Sequence, residues 1–114
     1  MINFQKFTYF SMTYVFIEED EDIVCEYEQT NAPLKVAADG NSITFTLKNI
    51  DANEDSEEYT TTLVKEADDE FYLKSSYFED ADEPYPLSVE VYDEEVRFTL
   101  ASEDEVMYLY GFFS

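Results

Sequence analysis

Apolar and polar residues alternate in short runs along this chain, and acidic turns separate the runs. The clearest case is the stretch 87–100, LSVEVYDEEVRFTL. A two-residue turn at Asp93 and Glu94 would join two strands and give one surface of the hairpin only apolar side chains. The predicted inner pairs are Val91–Val96, Val89–Phe98 and Leu87–Leu100. The same register places Glu90 opposite Arg97, the only arginine, on the outer surface.

A second hairpin is predicted around Asp39-Gly40. This dipeptide favours a two-residue type I′ turn, in which both central residues have positive φ. Counting outward from the turn gives the inner pairs Val36–Ile43 and Leu34–Phe45 and the outer pair Lys35–Thr44. Ile50 is out of phase with this alternation, which indicates a bulge or the end of the strand near Lys48 and Asn49.

The remaining strands follow from the same alternation. In the second of them Ile23, Cys25 and Tyr27 are predicted to face inward, with Glu26 and Glu28 outward. The predicted spans are Phe7–Ile17, Ile23–Glu28, Tyr59–Lys65, Phe71–Phe78 and Val106–Phe113.

About eight or nine short strands and no helical stripe predict an all-β fold, an antiparallel meander that forms a small barrel or a strongly curved sheet. The long first and last strands would pair and close it. The alternatives are a two-layer β-sandwich and an α+β fold with a short helical insertion. Residues 1–114 are expected to form one domain. Aromatic residues on both faces of the strands near Phe71 and Met107 leave both a monomer and a homodimer open.

Composition qualifies this picture, because the 114 residues are 45% hydrophobic and 18% aromatic yet carry a net charge of -22. This apolar content predicts a folded chain whose stability increases with salt, since ions screen the repulsion between carboxylates. One cysteine excludes an intramolecular disulfide, and Cys25 is expected to be a small buried hydrophobic residue.

The charge also excludes classes of function. Six basic residues against 28 acidic ones, with no histidine, argue against direct binding to nucleic acid or to an anionic membrane. The segment Phe7–Ile17 lacks the features of a signal peptide, so a cytoplasmic location is expected, in the host cell if a phage encodes the protein. Neither a phosphate-binding loop nor a nucleophile in a recognisable setting is present, so we expect no catalysis and no cofactor.

One stretch partly matches a calcium-binding loop. Asp51, Asn53 and Asp55 occupy the first, third and fifth positions of that pattern. Ser56 stands where the pattern requires glycine, and Thr62 stands where it requires glutamate. No specific metal site is therefore predicted.

The strongest candidate for function is the array of acidic turns, which includes Glu66–Glu70 and Glu103–Glu105. Carboxylates about 4.8 Å apart across a sheet and about 6.8 Å apart along one face of a strand approximate the charge density of a phosphate backbone. Tyr77, Tyr85 and Tyr92 lie beside such turns and are expected to be either exposed anchors for a partner or ordinary outer-face strand residues. The candidate partner-binding residues are Glu18, Glu19, Asp20, Glu21, Asp22, Asp51, Glu54, Asp55, Glu57, Glu58, Glu79, Asp80, Asp82, Glu83, Asp93, Glu94 and Glu95.

These features predict an acidic mimic of nucleic acid that binds and blocks a basic protein, such as a nucleic-acid-binding enzyme or complex. In size and charge alone, the chain resembles the small inhibitors that phages use against host defences, including anti-CRISPR and anti-restriction proteins. One alternative is an immunity protein that neutralises a basic nuclease toxin. Another is a small β-barrel that carries an apolar ligand, with the acidic residues serving solubility, and adaptation to high salt is a third.

Overall fold

A computed structural model of the protein describes residues 2–30, 34–50, 57–78, 80 and 82–113. About 67% of them lie in the strands of one antiparallel sheet, and the described residues contain no α-helix. A single turn of 3-10 helix, Phe4–Lys6, precedes the first strand. The strands are β1 (Phe7–Ile17), β2 (Asp22–Gln29), β3 (Lys35–Val36), β4 (Ser42–Asn49), β5 (Glu58–Ala67), β6 (Glu70–Ser75), β7 (Tyr85–Val91), β8 (Glu95–Ala101) and β9 (Glu105–Phe113).

Eight of the strands form a closed barrel, which confirms the predicted fold class. Strands β4 to β9 form a meander, and β9 pairs with β1 over almost the whole length of both. β1 then pairs with β2, and β2 pairs with β4 to complete the circle. The first and last strands therefore pair as predicted.

The ninth strand, β3, continues the line of β2. β2 pairs with β4 at Leu47–Asn49, and β3 pairs with the same strand further along, at Ile43 and Thr44. Both strands are antiparallel to β4, so they run in the same direction. Because of this continuation, the β3–β4 turn lies at the opposite end of the barrel from the β1–β2 turn.

The predicted register of the β7–β8 hairpin is confirmed over most of its length. Glu90 pairs with Arg97, and the apolar pairs Val89–Phe98 and Val91–Val96 are formed. The ladder stops at Ser88–Thr99, so the predicted Leu87–Leu100 pair is not part of it. The inner surface is also not uniformly buried, because Val91 lies at the end of the barrel and is 63% exposed.

The hairpin at Asp39-Gly40 has the predicted register but a different turn. Lys35 pairs with Thr44 and Val36 with Ile43, whereas Leu34 precedes the strand. Among the described residues only Gly40 has a positive φ, 75°, so the type I′ prediction was wrong. The Gly40 N–H donates to the Ala37 carbonyl at 2.9 Å. Among the described residues, the left-handed backbone conformation occurs only at this glycine, where it costs least because glycine has no Cβ.

Three strand details differ from the sequence-based expectation. β6 ends at Ser75 rather than at Phe78, and β7 begins at Tyr85, before Pro86. Ile23 is exposed, because it lies beside the acidic turn at the end of the barrel, while Cys25 is half-buried and Tyr27 is buried. As expected, β4 ends before Ile50.

The interior is filled by large side chains that alternate along the strands. The rings of Phe10 and Phe45 stack across the barrel, with centroids 4.0 Å apart. Phe4, from the 3-10 helix, is buried and contacts Phe7 and Phe71, so the N-terminal segment covers one end of the barrel. Burial of this apolar area, at about 25 cal/mol per Å², is the main stabilising term that opposes the charge repulsion.

Candidate functional site

The acidic turns lie at the two ends of the barrel. Neighbouring strands of the sheet are antiparallel, and β3 continues β2 in the same direction. The β1–β2, β4–β5, β6–β7 and β8–β9 connections therefore share one end, which we call the acidic end. The β3–β4, β5–β6 and β7–β8 connections lie at the opposite end. The described carboxylates at the acidic end are those of Glu18, Glu19, Asp20, Glu21, Asp22, Glu57, Glu58, Asp80, Asp82, Glu83, Glu103, Asp104 and Glu105.

The opposite end carries fewer of the described carboxylates. Lys65 belongs to it, and Lys65 Nζ lies 3.6 Å from a carboxylate oxygen of Asp68. Lys48 pairs with Glu58 at the acidic end. Both ends are negative, as alternating acidic turns imply, but they are not equivalent. The carboxylates of the opposite end are Asp39, Glu66, Asp68, Asp69, Glu70, Asp93, Glu94 and Glu95.

This division separates the residues that the sequence had grouped as one partner-binding set. The acidic end brings together Glu18–Asp22 with Glu57, Glu58, Asp80, Asp82 and Glu83, whereas Asp93, Glu94 and Glu95 lie at the opposite end. Asp51, Glu54, Asp55 and Glu79 fall outside the described residues. Glu103, Asp104 and Glu105 were not in the predicted set, although they form one of the acidic turns.

Two of these acidic turns are side by side. The Ile17 N–H, at the end of β1, donates to the Asp104 carbonyl at 2.8 Å. Phe16 is paired with Glu105 in the β1–β9 ladder. Glu18, the first residue of the β1–β2 turn, therefore lies next to the β8–β9 turn. The two turns together form one continuous negative rim.

A small pocket opens beside the β8–β9 turn of this rim. It forms where β7 and β8 separate beyond Ser88–Thr99 and β7 continues along β6, with Tyr85 paired to Leu73. The cavity has a volume of about 200 Å³. Its walls include Tyr14, Phe78, Tyr85, Leu100, Glu105 and Met107.

The polar groups of the pocket are ordered by hydrogen bonds. The Tyr14 hydroxyl donates to Oε2 of Glu105, and the Tyr85 hydroxyl donates to Glu83 at 3.4 Å. The rings of Phe78 and Tyr85 are in contact, with centroids 4.6 Å apart. Burial, followed by the contact with Glu105, raises the pKa of Tyr14 well above its usual value, so this hydroxyl remains a donor at neutral pH.

Tyrosine rings beside the pocket fill the acidic end of the barrel. The Tyr77 ring lies 5.3 Å from Tyr14, 5.4 Å from Tyr27 and 5.0 Å from Tyr59, measured between centroids. Tyr77 is therefore part of an aromatic cluster rather than the exposed anchor that the sequence suggested. Burial is the main cause that raises the pKa values of Tyr27, Tyr59 and Tyr77.

The only arginine lies on the outer wall. Its guanidinium donates to Glu90 at 2.6 Å, as the predicted pairing implied, and the Tyr92 hydroxyl donates to the same oxygen at 2.5 Å. The guanidinium also lies over the rings of Tyr92 and Tyr108. These hydrogen bonds, the one from Arg97 first, lower the pKa of Glu90. Arg97 therefore neutralises a neighbour on the wall and none of the described carboxylates at the acidic end.

Within the described residues, histidine, cysteine and acidic side chains form no group of three or more that could hold a metal ion. The partial calcium pattern at Asp51, Asn53 and Asp55 lies outside the described residues. In the described part of the chain, no helix has the length and apolar character needed to cross a membrane.

No protein-family model, curated protein or solved structure matches this chain significantly.

Proposed function

We propose that this protein binds a basic protein through its acidic end and blocks the surface that the partner uses for nucleic acid. The observation that supports the proposal is the unequal charge of the two ends. Carboxylates that served only solubility would have no reason to concentrate on one end of the barrel. A narrower form of the proposal is an anti-defence protein of a phage, of the anti-CRISPR or anti-restriction type.

Physical chemistry favours such a surface for fast association. Charges of one sign on a small domain steer a complementary partner, and steering raises association rates by about 10-fold to 1,000-fold at low salt. The rim formed by the β1–β2 and β8–β9 turns would occupy a groove that otherwise accepts phosphates. Aromatic side chains within the rim would supply the apolar contact area that carboxylates lack.

The alternatives use other features of the same molecule. An immunity protein would use the same acidic end against a nuclease toxin, and a toxin gene beside its own gene would favour it. A carrier of an apolar ligand would need room in the barrel, where Phe10, Phe45 and Phe98 are fully buried. The packed interior thus gives the carrier alternative no support.

The experiment begins with capture from a lysate of the natural host. The immobilised protein is loaded at low salt, and bound proteins are eluted by a salt gradient and identified by mass spectrometry. A stoichiometric nucleic-acid-processing protein that DNA or RNA displaces at constant ionic strength would support the proposal. Recovery of only scattered basic proteins would contradict it.

Two matched variants then locate the binding surface. The first neutralises the acidic end with Glu18→Gln, Glu19→Gln and Glu21→Gln, and the second neutralises the opposite end with Asp93→Asn, Glu94→Gln and Glu95→Gln. Each removes three charges from a total of -22. We expect the first variant to weaken binding about tenfold or more and the second about threefold or less. Equal losses would show that overall charge, not the acidic end, determines affinity.

A further inference from the structure

The pocket at the acidic end combines apolar walls with a single carboxylate. Phe78, Leu100 and Met107 contribute apolar surface, and Glu105 contributes the charge. Glu105 is half-buried and forms no ion pair with any of the described residues. Its Oε2 accepts the Tyr14 hydroxyl, which orients the carboxylate without neutralising it. A partly buried negative charge of this kind favours a cationic ligand.

We propose that this pocket receives the guanidinium group of an arginine side chain from the basic partner. The inference rests on the proposed function, since it names the group by which that partner is anchored. The cavity of about 200 Å³ is smaller than the roughly 300–1,000 Å³ of pockets that hold drug-sized ligands, and it suits a single side chain.

Arginine fits this chemistry better than lysine does. A guanidinium is planar, stacks on aromatic rings and donates to a carboxylate, whereas an ammonium is compact and strongly hydrated. The Phe78 and Tyr85 rings, 4.6 Å apart, and the Glu105 carboxylate provide both kinds of contact. An arginine buried in such a pocket is also a common type of binding hot spot.

The test uses small probes, so it does not depend on the identity of the partner. Nα-acetyl-arginine amide is titrated into the labelled protein at constant ionic strength, and amide NMR signals are followed over concentrations that bracket about 1 mM. Nα-acetyl-citrulline amide has a similar shape without the charge, and Nα-acetyl-lysine amide carries the charge without the planar group. We expect saturable shifts around Tyr14, Phe78, Tyr85 and Glu105 with the arginine probe and much weaker binding of the other two.

Two variants separate the pocket from the general field of the acidic end. Glu105→Gln removes the charge but keeps an oxygen that accepts the Tyr14 hydroxyl. Glu103→Gln removes the same charge from the exposed part of the same turn. We expect Glu105→Gln to weaken the arginine probe about tenfold and Glu103→Gln about twofold or less.

Several outcomes would overturn the inference. They are the absence of saturable shifts with the arginine probe, equal binding of citrulline or lysine, and equal effects of the two variants. Failure of the probes while the captured partner still depends on the acidic end would reject the arginine pocket and leave the proposed function standing. Specific binding of the arginine probe without capture of any partner would reject the proposed function and keep the pocket.

Discussion

Replacement of Gly111 by alanine should destabilise the barrel, and the structure gives the reason. A Cβ at this position would lie 2.6 Å from Cε1 of Phe7 and 2.9 Å from Cε1 of Phe10. The Phe7 ring has little freedom to withdraw, because it stacks on Phe113 with centroids 4.9 Å apart and also contacts Phe4 and Phe10. Gly111 is itself held in β9 by its pairing with Phe10.

The cost follows from the size of this overlap. Ordinary carbon contacts begin near 3.5 Å, so either the ring or the strand must move by almost 1 Å. Overpacking of this kind in a closely packed core costs about 1–3 kcal/mol. At about 4 °C per kcal/mol for a domain near this size, the expected decrease in Tm is about 4–12 °C.

Thermal and urea unfolding followed by circular dichroism would measure the loss, and two further variants would assign its cause. Gly40→Ala introduces a side chain at φ 75°, where no described atom beyond the two chain neighbours lies within 4 Å, so its expected cost is backbone strain. Phe7→Leu removes the nearer of the two rings that the new methyl group would meet and leaves the Phe10 ring in place. We expect Phe7→Leu to relieve Gly111→Ala by about 1 kcal/mol or more and to leave the cost of Gly40→Ala unchanged.

Two results would refute this reasoning. An unchanged unfolding midpoint for Gly111→Ala would mean that the barrel accommodates the methyl group without strain. Additive effects of Gly111→Ala and Phe7→Leu would mean that the loss arises elsewhere, for example from the backbone of β9.

Two more predictions concern how the stability of the protein depends on pH and on salt. The pKa values of Tyr14, Tyr27 and Tyr77 are raised above 10.0 in the folded state, so these tyrosines contribute stability that is present below pH 10 and is lost as the pH rises further. In a titration to high pH, part of the phenolate absorbance should therefore appear only above pH 10, together with the loss of near-ultraviolet circular dichroism. Ionisation of all ten tyrosines near pH 10 with the fold intact would contradict this prediction. The Tm should increase by several degrees between low and physiological sodium chloride, because the screening length decreases from about 30 Å at 0.01 M to about 8 Å at 0.15 M. An unchanged unfolding midpoint would show that repulsion between carboxylates does not significantly destabilise the fold.

The strand registers could be predicted because the side-chain period of a strand is two residues. Once a turn is placed at Asp93-Glu94 or Asp39-Gly40, the register of the hairpin follows, including the pair Glu90 and Arg97. The residue at which each ladder ends does not follow from the turn. The conformation of the turn does not follow in the same way. The register is the same whether or not Asp39 has positive φ, so the pattern could not exclude the turn that is formed.

The arrangement of the candidate site could be predicted only in part. An antiparallel meander implies that successive turns alternate between the two ends. The unequal charge of the ends depends on β3 continuing the line of β2. No residue in the sequence pattern predicts that continuation. The pocket depends on the separation of β7 from β8. Pro86, which lacks a backbone donor, was the one local sign that the ladder would be interrupted there.

The pairing of β1 with β9 determines how the protein is oriented when it is attached to a tag or a surface. Ile2 and Phe113 line the same cavity, so the chain enters and leaves the barrel at the end opposite the acidic one. An affinity tag, a fusion partner or a surface linker attached through either terminus would therefore hold the acidic end outward. The same proximity makes the protein a good candidate for circular permutation, with the old termini joined by a short linker.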